Sequence, residues 1–191
     1  MQEKIKNIIS ASISVKEKLL KDEMIIQSLQ EVTNKIVTAF RNGNRVYFCG
    51  NGGSAADAQH LAAEFSGRFY TDRDALPSEA LHCNTSYLTA VANDYSYELV
   101  YARLIKGIAN KGDFLIGLST SGNSGNIIKA FEVAREKSVT TVGFTGASGG
   151  KMKELSDYLI NVPSIDTPRI QESHIMLGHI ICQLVEEQYF N

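Results

Sequence analysis

Gly50-Asn51-Gly52-Gly53-Ser54, running on into Ala55-Ala56-Asp57-Ala58-Gln59-His60-Leu61-Ala62-Ala63-Glu64-Phe65-Ser66-Gly67-Arg68, decides how the rest of the chain is read. Ahead of it, Arg45-Val46-Tyr47-Phe48-Cys49 is a β-branched and aromatic run of strand length with no helical period. Behind it, Ala55 to Phe65 is rich in alanine and keeps a helical pattern. The segment therefore predicts strand, glycine turn, helix. Glycines let backbone N–H groups approach a ligand, and a helix start favours an anion such as phosphate. One turn further, His60 and Glu64 stand four residues apart on one helix face, with Cβ atoms about 5–6 Å from each other. An anion cradle and an acid/base or metal pair thus fall on one short element. Gly50, Gly52 and Ala55 also fit the G-x-G-x-x-A dinucleotide pattern, which wants an acidic residue closing the next strand. The next strand candidate, Ala80 to Cys83, ends in His82-Cys83-Asn84, and a nucleotide is discounted.

Working outward, strands alternate with helices. Two amphipathic helices come first, with Ile5, Ile8, Ile9 and Ile13 at helical spacing and then Ile25, Leu29, Val32, Ile36 and Phe40. They need a partner surface, either the sheet or, preferred on sequence grounds, a second copy of the chain. Downstream, Thr85 to Ala92 reads as a short helix broken by Asn93-Asp94-Tyr95, and Tyr97 to Ile108 as another. Strands are predicted at Phe114–Leu118, Val139–Phe144 and Tyr158–Val162, with helices at 127–137 and around 151–155 between them. Pro168 opens a long last helix to about Tyr189. Such alternation predicts a parallel sheet of about five strands with helices on both faces, whose ligands sit beyond the carboxyl ends of the strands.

Two further stretches point to that edge. Ser119-Thr120-Ser121-Gly122-Asn123-Ser124 packs four hydroxyls and an amide between a strand and a helix. Hydroxyls and N–H groups there can hold a phosphate without lysine, although a single serine would also serve as an ordinary helix cap. On the last helix, Gln171 and His179 lie two turns apart and roughly 80° round the axis. Spacing alone pairs Glu172 with His179 more readily, and it places His174 on the apolar face with Ile170, Leu177 and Ile181.

Composition sets bounds. The 191 residues suit one domain, and a formal net charge of −2 gives no basic footprint for nucleic acid. No apolar run approaches a membrane span, and the first residues lack a signal-peptide pattern. Cys49, Cys83 and Cys182 form no metal or redox motif, which fits a reducing cytoplasm. Cys49 and Cys83 are expected at strand ends as small buried thiols.

Taken together, Gly50–Ser54, Asp57-Ala58-Gln59-His60, Glu64, Leu88-Thr89-Ala90-Val91-Ala92-Asn93-Asp94, Ser119–Ser124 and Arg169-Ile170-Gln171-Glu172 with His179 resemble the phosphoheptose isomerases of the sugar isomerase (SIS) fold. The likeness covers nearly the whole chain after the first helices. It implies one SIS domain over 1–191, with a helical extension at 1–42 and a flavodoxin-like α/β sandwich at 43–191. It also implies an aldose–ketose isomerase acting on sedoheptulose 7-phosphate, the first step towards activated heptose for lipopolysaccharide or capsule. In that scheme Glu64 is the base and His179 its acid partner. His60, Glu64, Gln171 and His179 match the family's zinc ligands, with one zinc per subunit. Asn51, Gly52, Gly53, Glu64, Asn93, Asp94, Ser119, Thr120, Ser121, Ser124 and Gln171 match its substrate contacts. The family resemblance favours Gln171 over Glu172, and it implies a homotetramer that gives the N-terminal helices a partner. His82-Cys83-Asn84 departs from the family pattern at a strand end. A non-catalytic SIS scaffold would need the phosphate cradles but not the acid/base set, and an isomerase for another sugar phosphate would keep both.

Overall fold

A computed structural model describes residues 1–190. Five parallel strands form one sheet in the order β2-β1-β3-β4-β5, with β1 at Val46–Gly50, β2 at Ser78–Ala80, β3 at Phe114–Ser119, β4 at Thr140–Thr145 and β5 at Tyr158–Asn161. The central strands β1, β3 and, apart from its first residue, β4 are buried, which is why they read as apolar runs rather than as an alternation. Period-two geometry still sorts their side chains. Val46, Phe48, Phe114, Ile116 and Leu118 join one core, while Tyr47, Cys49 and Leu115 join the other.

The helices divide accordingly. The first face is covered by α2 (Glu23–Arg41), α3 (Gly53–Ser66) and α7 (Thr167–Phe190), and the second by α4 (Thr85–Asp94), α5 (Val100–Ile108) and α6 (Gly125–Glu136). Strand order reverses between β1 and β3, so the loops after those two strands flank the switch point at which open α/β sheets bind ligands. Gly50 pairs with Leu118 across that gap, which sets the Asn51 and Ser119 loops side by side.

Several expectations are corrected. Helix α2 packs on α7 and β5, burying Ile25, Leu29, Val32, Ile36 and Phe40, so its partner surface lies within the chain. Helix α1 (Gln2–Leu20) keeps an exposed stripe, with Ile5, Ile8, Ile9 and Ile13 each 48–54% exposed. Strand β2 is earlier and shorter than the reading at Ala80–Cys83. It pairs only with Val46–Phe48, and a turn closed by Cys83 N–H on the Ala80 carbonyl then leads away. Cys83 is consequently exposed rather than buried. Asn84 caps α4, accepting from Tyr87 N–H at 3.0 Å, and the helix continues through Asn93 and Asp94 before breaking at Tyr95. The stretches at Tyr97–Leu99 and Gly150–Leu155 are short 3₁₀ turns.

Candidate active site

The strand–turn–helix at Gly50 turns so tightly that a Cβ on Gly50 would sit 2.2 Å from the Ser54 carbonyl oxygen. Only glycine fits there. Gly52, at φ +55°, stands at the N-cap of α3 and offers no side chain to the helix start. The start of α6 is similarly bare: Ser124 occupies the N-cap without capping, because its Oγ lies 2.9 Å from Ser119 Oγ. By contrast, α2 and α4 are capped by Asp22 and Asn84. The capping alternative for Ser124 therefore fails. Two helix N-termini that no side chain caps meet beside the switch point, a geometry suited to a phosphate.

Between them, Asn51 and Asn126 face each other amide to amide, each Nδ2 donating to the other's Oδ1 at 2.9 Å. Tyr97 donates a third bond to Asn51 Oδ1 at 3.0 Å. Asn126 and Tyr97 escaped the sequence reading. A buried Asn in the first turn of α6 is the only local signal for one of them, and nothing marks Tyr97. An Asn126→Asp variant sets a second acceptor against Asn51 Oδ1, and an unfolding titration should show a loss of about 1–3 kcal/mol. Ser121 Oγ accepts from Asn123 N–H, and the Thr120 carbonyl accepts from Gly146 N–H, tying this loop to the end of β4. Asn93 and Asp94 lie exposed at the end of α4 and bond to each other at 2.9 Å. Among the described residues, neither forms a hydrogen bond with the other candidates.

The acid/base set assembles from α3 and α7, which pack side by side with Gly53 against Gln171 and Leu61 against Gly178. That register brings His60 to His179, their Nε2 atoms 3.0 Å apart, and Glu64 Oε1 lies 3.1 Å from His60 Nε2. Ligand atoms of His60, Glu64 and His179 all lie within 4.8 Å of one another. Tetrahedral zinc with bonds near 2.1 Å spaces its ligand atoms by about 3.4 Å, so this His₂Glu group fits a metal with a position left open. Gln171 lies at the other end of the shared face, about 12 Å along α7 from His179, with its amide against Gly53. Glu172, which spacing paired with His179, turns away to Lys16 at 3.5 Å and Arg169 at 3.2 Å. His174 is fully buried, bonded through Nε2 to the Thr145 carbonyl, as its apolar-face position predicts.

Electrostatics add Asp57 and Phe69 to the site. Burial holds Asp57 above the usual carboxylate range, while the His60 and His179 rings pull it back. Burial, and next the His60 ring, keep His179 below the usual imidazole value against the pull of Glu64 and Asp57. A neutral His179 can both give and accept a proton near neutral pH. The Phe69 ring lies 5.7 Å from that of His179.

Comparison with known proteins finds relatives over nearly the whole chain. The SIS domain family model matches residues 9–146. Phosphoheptose isomerase from Aneurinibacillus thermoaerophilus is 55% identical over 190 residues, covering 100% of this chain and 96% of that protein. Among solved structures, phosphoheptose isomerase GmhA from Neisseria gonorrhoeae aligns with a TM-score of 0.91 at 37% identity, covering 97% of this chain and 98% of that one. The phosphoheptose isomerase from Francisella tularensis gives 0.93 at 30% identity with the same coverage. Fold and site together define a SIS domain protein with a His60–Glu64–His179 cluster between α3 and α7. Within that class, the chain belongs to the phosphoheptose isomerase family.

Proposed function

We propose that this chain interconverts sedoheptulose 7-phosphate and D-glycero-D-manno-heptose 7-phosphate, the first step of heptose activation. The observation that carries the reading is the meeting of Glu64, His60 and His179 from two helices, with the uncapped starts of α3 and α6 at the other end of α3. The sugar phosphate group takes the N–H and hydroxyl donors of Gly52–Gly53, Ser119, Thr120, Ser121 and Ser124, while Asn51, Asn93, Asp94 and Gln171 hold sugar hydroxyls. The Glu64 carboxylate removes the proton from C1 of the ketose as the C2 carbonyl oxygen gains one, giving a 1,2-enediol. The same carboxylate returns its proton to C2 as the C1 oxygen loses one, leaving the aldose. His179 moves the protons between the two oxygens. Incubating the chain with sedoheptulose 7-phosphate and following the aldose signals by NMR tests this, and no conversion under any metal condition would refute it. A pure scaffold needs no carboxylate–imidazole set, so that set favours the enzyme.

Zinc is the metal this donor set suits, held by His60, Glu64 and His179, while Gln171 stands against Gly53 at the other end of the shared face. When bound it supplies a Lewis acid for the sugar carbonyl. Titrating zinc into chelator-treated protein should raise the thermal midpoint, and the rise should vanish in His60→Ala; a flat midpoint in the parent chain would refute the site. The isoleucine stripe of α1, together with an apolar groove of about 430 Å³ lined by Ile13, Leu20, Ile26, Met176 and Ile180, supports assembly as a homotetramer. Three free cysteines, and the lack of any helix among the described residues long and apolar enough to cross a membrane, support a cytoplasmic location.

A further inference from the structure

Arg73 and Glu186 are 113 residues apart in sequence and form an ion pair at 2.9 Å, with side chains only 4% and 5% exposed. The contacts of Arg73 go well beyond that pair. Its remaining nitrogens donate to the carbonyls of Glu64 and Phe65 at 2.7 Å each, Asp74 at 2.9 Å and Gly67 at 3.1 Å. The Glu64 and Phe65 carbonyls belong to the last turn of α3, whose acceptors no further helical N–H can reach. Glu186 in turn accepts from the backbone N–H of Phe69 at 3.1 Å, Tyr70 at 2.8 Å and Thr71 at 3.0 Å. It sits two turns beyond His179 on α7, so the pair joins the end of the helix bearing Glu64 to the helix bearing His179.

We infer that Arg73 and Glu186 form a positioning unit for the isomerase centre, fixing the last turn of α3 under Glu64 and seating the Phe69 ring against His179. This rests on the reading of Glu64 and His179 given above. A pair serving stability alone needs charge and burial, which lysine would also supply. The observed contacts need a planar fork that reaches a carboxylate on one side and two helix carbonyls on the other, and lysine has none. Misplacement of a reacting group by about 1 Å costs on the order of a hundredfold in rate. Arg73→Lys therefore separates the two roles.

The test is steady-state kinetics of zinc-supplemented full chains on sedoheptulose 7-phosphate, well below each variant's thermal midpoint. Arg73→Lys should lower kcat about tenfold to a hundredfold with KM unchanged. Asp113→Asn is the control. Asp113 is equally buried but binds the Arg45 and Asn110 N–H groups that lead into β1 and β3, and its variant should keep the parent kcat even where its midpoint falls as much. If Arg73→Lys fails to fold, Glu186→Gln takes its place. The ¹⁵N resonances of the His179 ring give the same answer without turnover: they should move in Arg73→Lys and not in Asp113→Asn. Unchanged kcat and unchanged His179 resonances in Arg73→Lys, or equal losses in the control, would overturn the inference. Absence of turnover in the parent chain would instead refute the isomerase reading and leave the resonance test standing.

Discussion

Glu64→Gln should abolish most isomerisation, lowering kcat by about 10²–10⁴-fold while sugar phosphate still binds. The amide keeps the size and one acceptor of the carboxylate but cannot take a proton from carbon. Phosphate contacts should survive, because the donors at Gly52–Gly53 and the Ser119–Ser124 loop lie at the N-terminal starts of α3 and α6, and Glu64 belongs to the last turn of α3. The loss should therefore appear in kcat and not in KM, the mark of an interaction made only in the transition state. Heavy water gives a second readout. The parent chain should wash deuterium into C1 of recovered ketose and C2 of the aldose, as a single base exchanging with solvent requires, and Glu64→Gln should do neither. A variant that still exchanges either position at the parent rate would put the base elsewhere. Asp57 is the alternative that geometry offers, since it sits on the same helix and acts electrostatically on both imidazoles.

The sheet and both cradles were legible because their signals are local. A strand of five buried residues running into Gly50 can be read from a dozen letters, and so can Phe114–Ser119 with its hydroxyl loop. His60 and Glu64 were legible for the same reason, since helical periodicity alone puts them on one face. Their third member was not. His179 enters through the packing of α3 on α7, a register that depends on Leu61 lying against Gly178. Spacing on α7 by itself paired Glu172 with His179, but a contact with Lys16 of α1 turns Glu172 the other way. The family resemblance grouped His179 with His60 and Glu64, which the packing brings together, and Gln171 with them, which the structure sets against Gly53 instead. The fate of α2 was equally non-local: an amphipathic stripe says that a helix needs a partner and is silent on whether that partner is the sheet or another chain. Cys83 was misjudged because β2 ends three residues sooner than its apolar letters suggest, where a turn closed by Cys83 N–H on the Ala80 carbonyl leads the chain away from β1. Arg73 and Glu186 carried no signal at all, since a charged residue in a polar loop and another on a C-terminal helix ordinarily face water.

That last pair should dominate the acid stability of the fold. Glu186→Ala leaves the Arg73 guanidinium buried without its counter-charge and removes the acceptor from three backbone N–H groups, so urea unfolding near neutral pH should show a loss of about 3–5 kcal/mol. The pH dependence has a definite sign. Burial alone would raise the carboxyl, but the Thr71 N–H, the Arg73 guanidinium and the N–H groups of Phe69 and Tyr70 outweigh it and bring Glu186 down to about 2 from the ordinary 4.5. A depressed folded-state value means that the contribution is complete above about pH 4.5 and is lost as pH falls towards 2. Over that whole window the shift corresponds to about 3 kcal/mol. Other carboxylates titrate in the same range, so the decisive quantity is the gap between the parent and Glu186→Ala, in which they cancel. That gap should shrink by about 2 kcal/mol between neutral pH and about pH 3, because the unfolded parent takes up a proton there that the folded parent refuses. A gap that stays constant over this range would mean that Glu186 is not held ionised by its partners. The four hydrogen bonds that define the clamp would then not be the source of its strength.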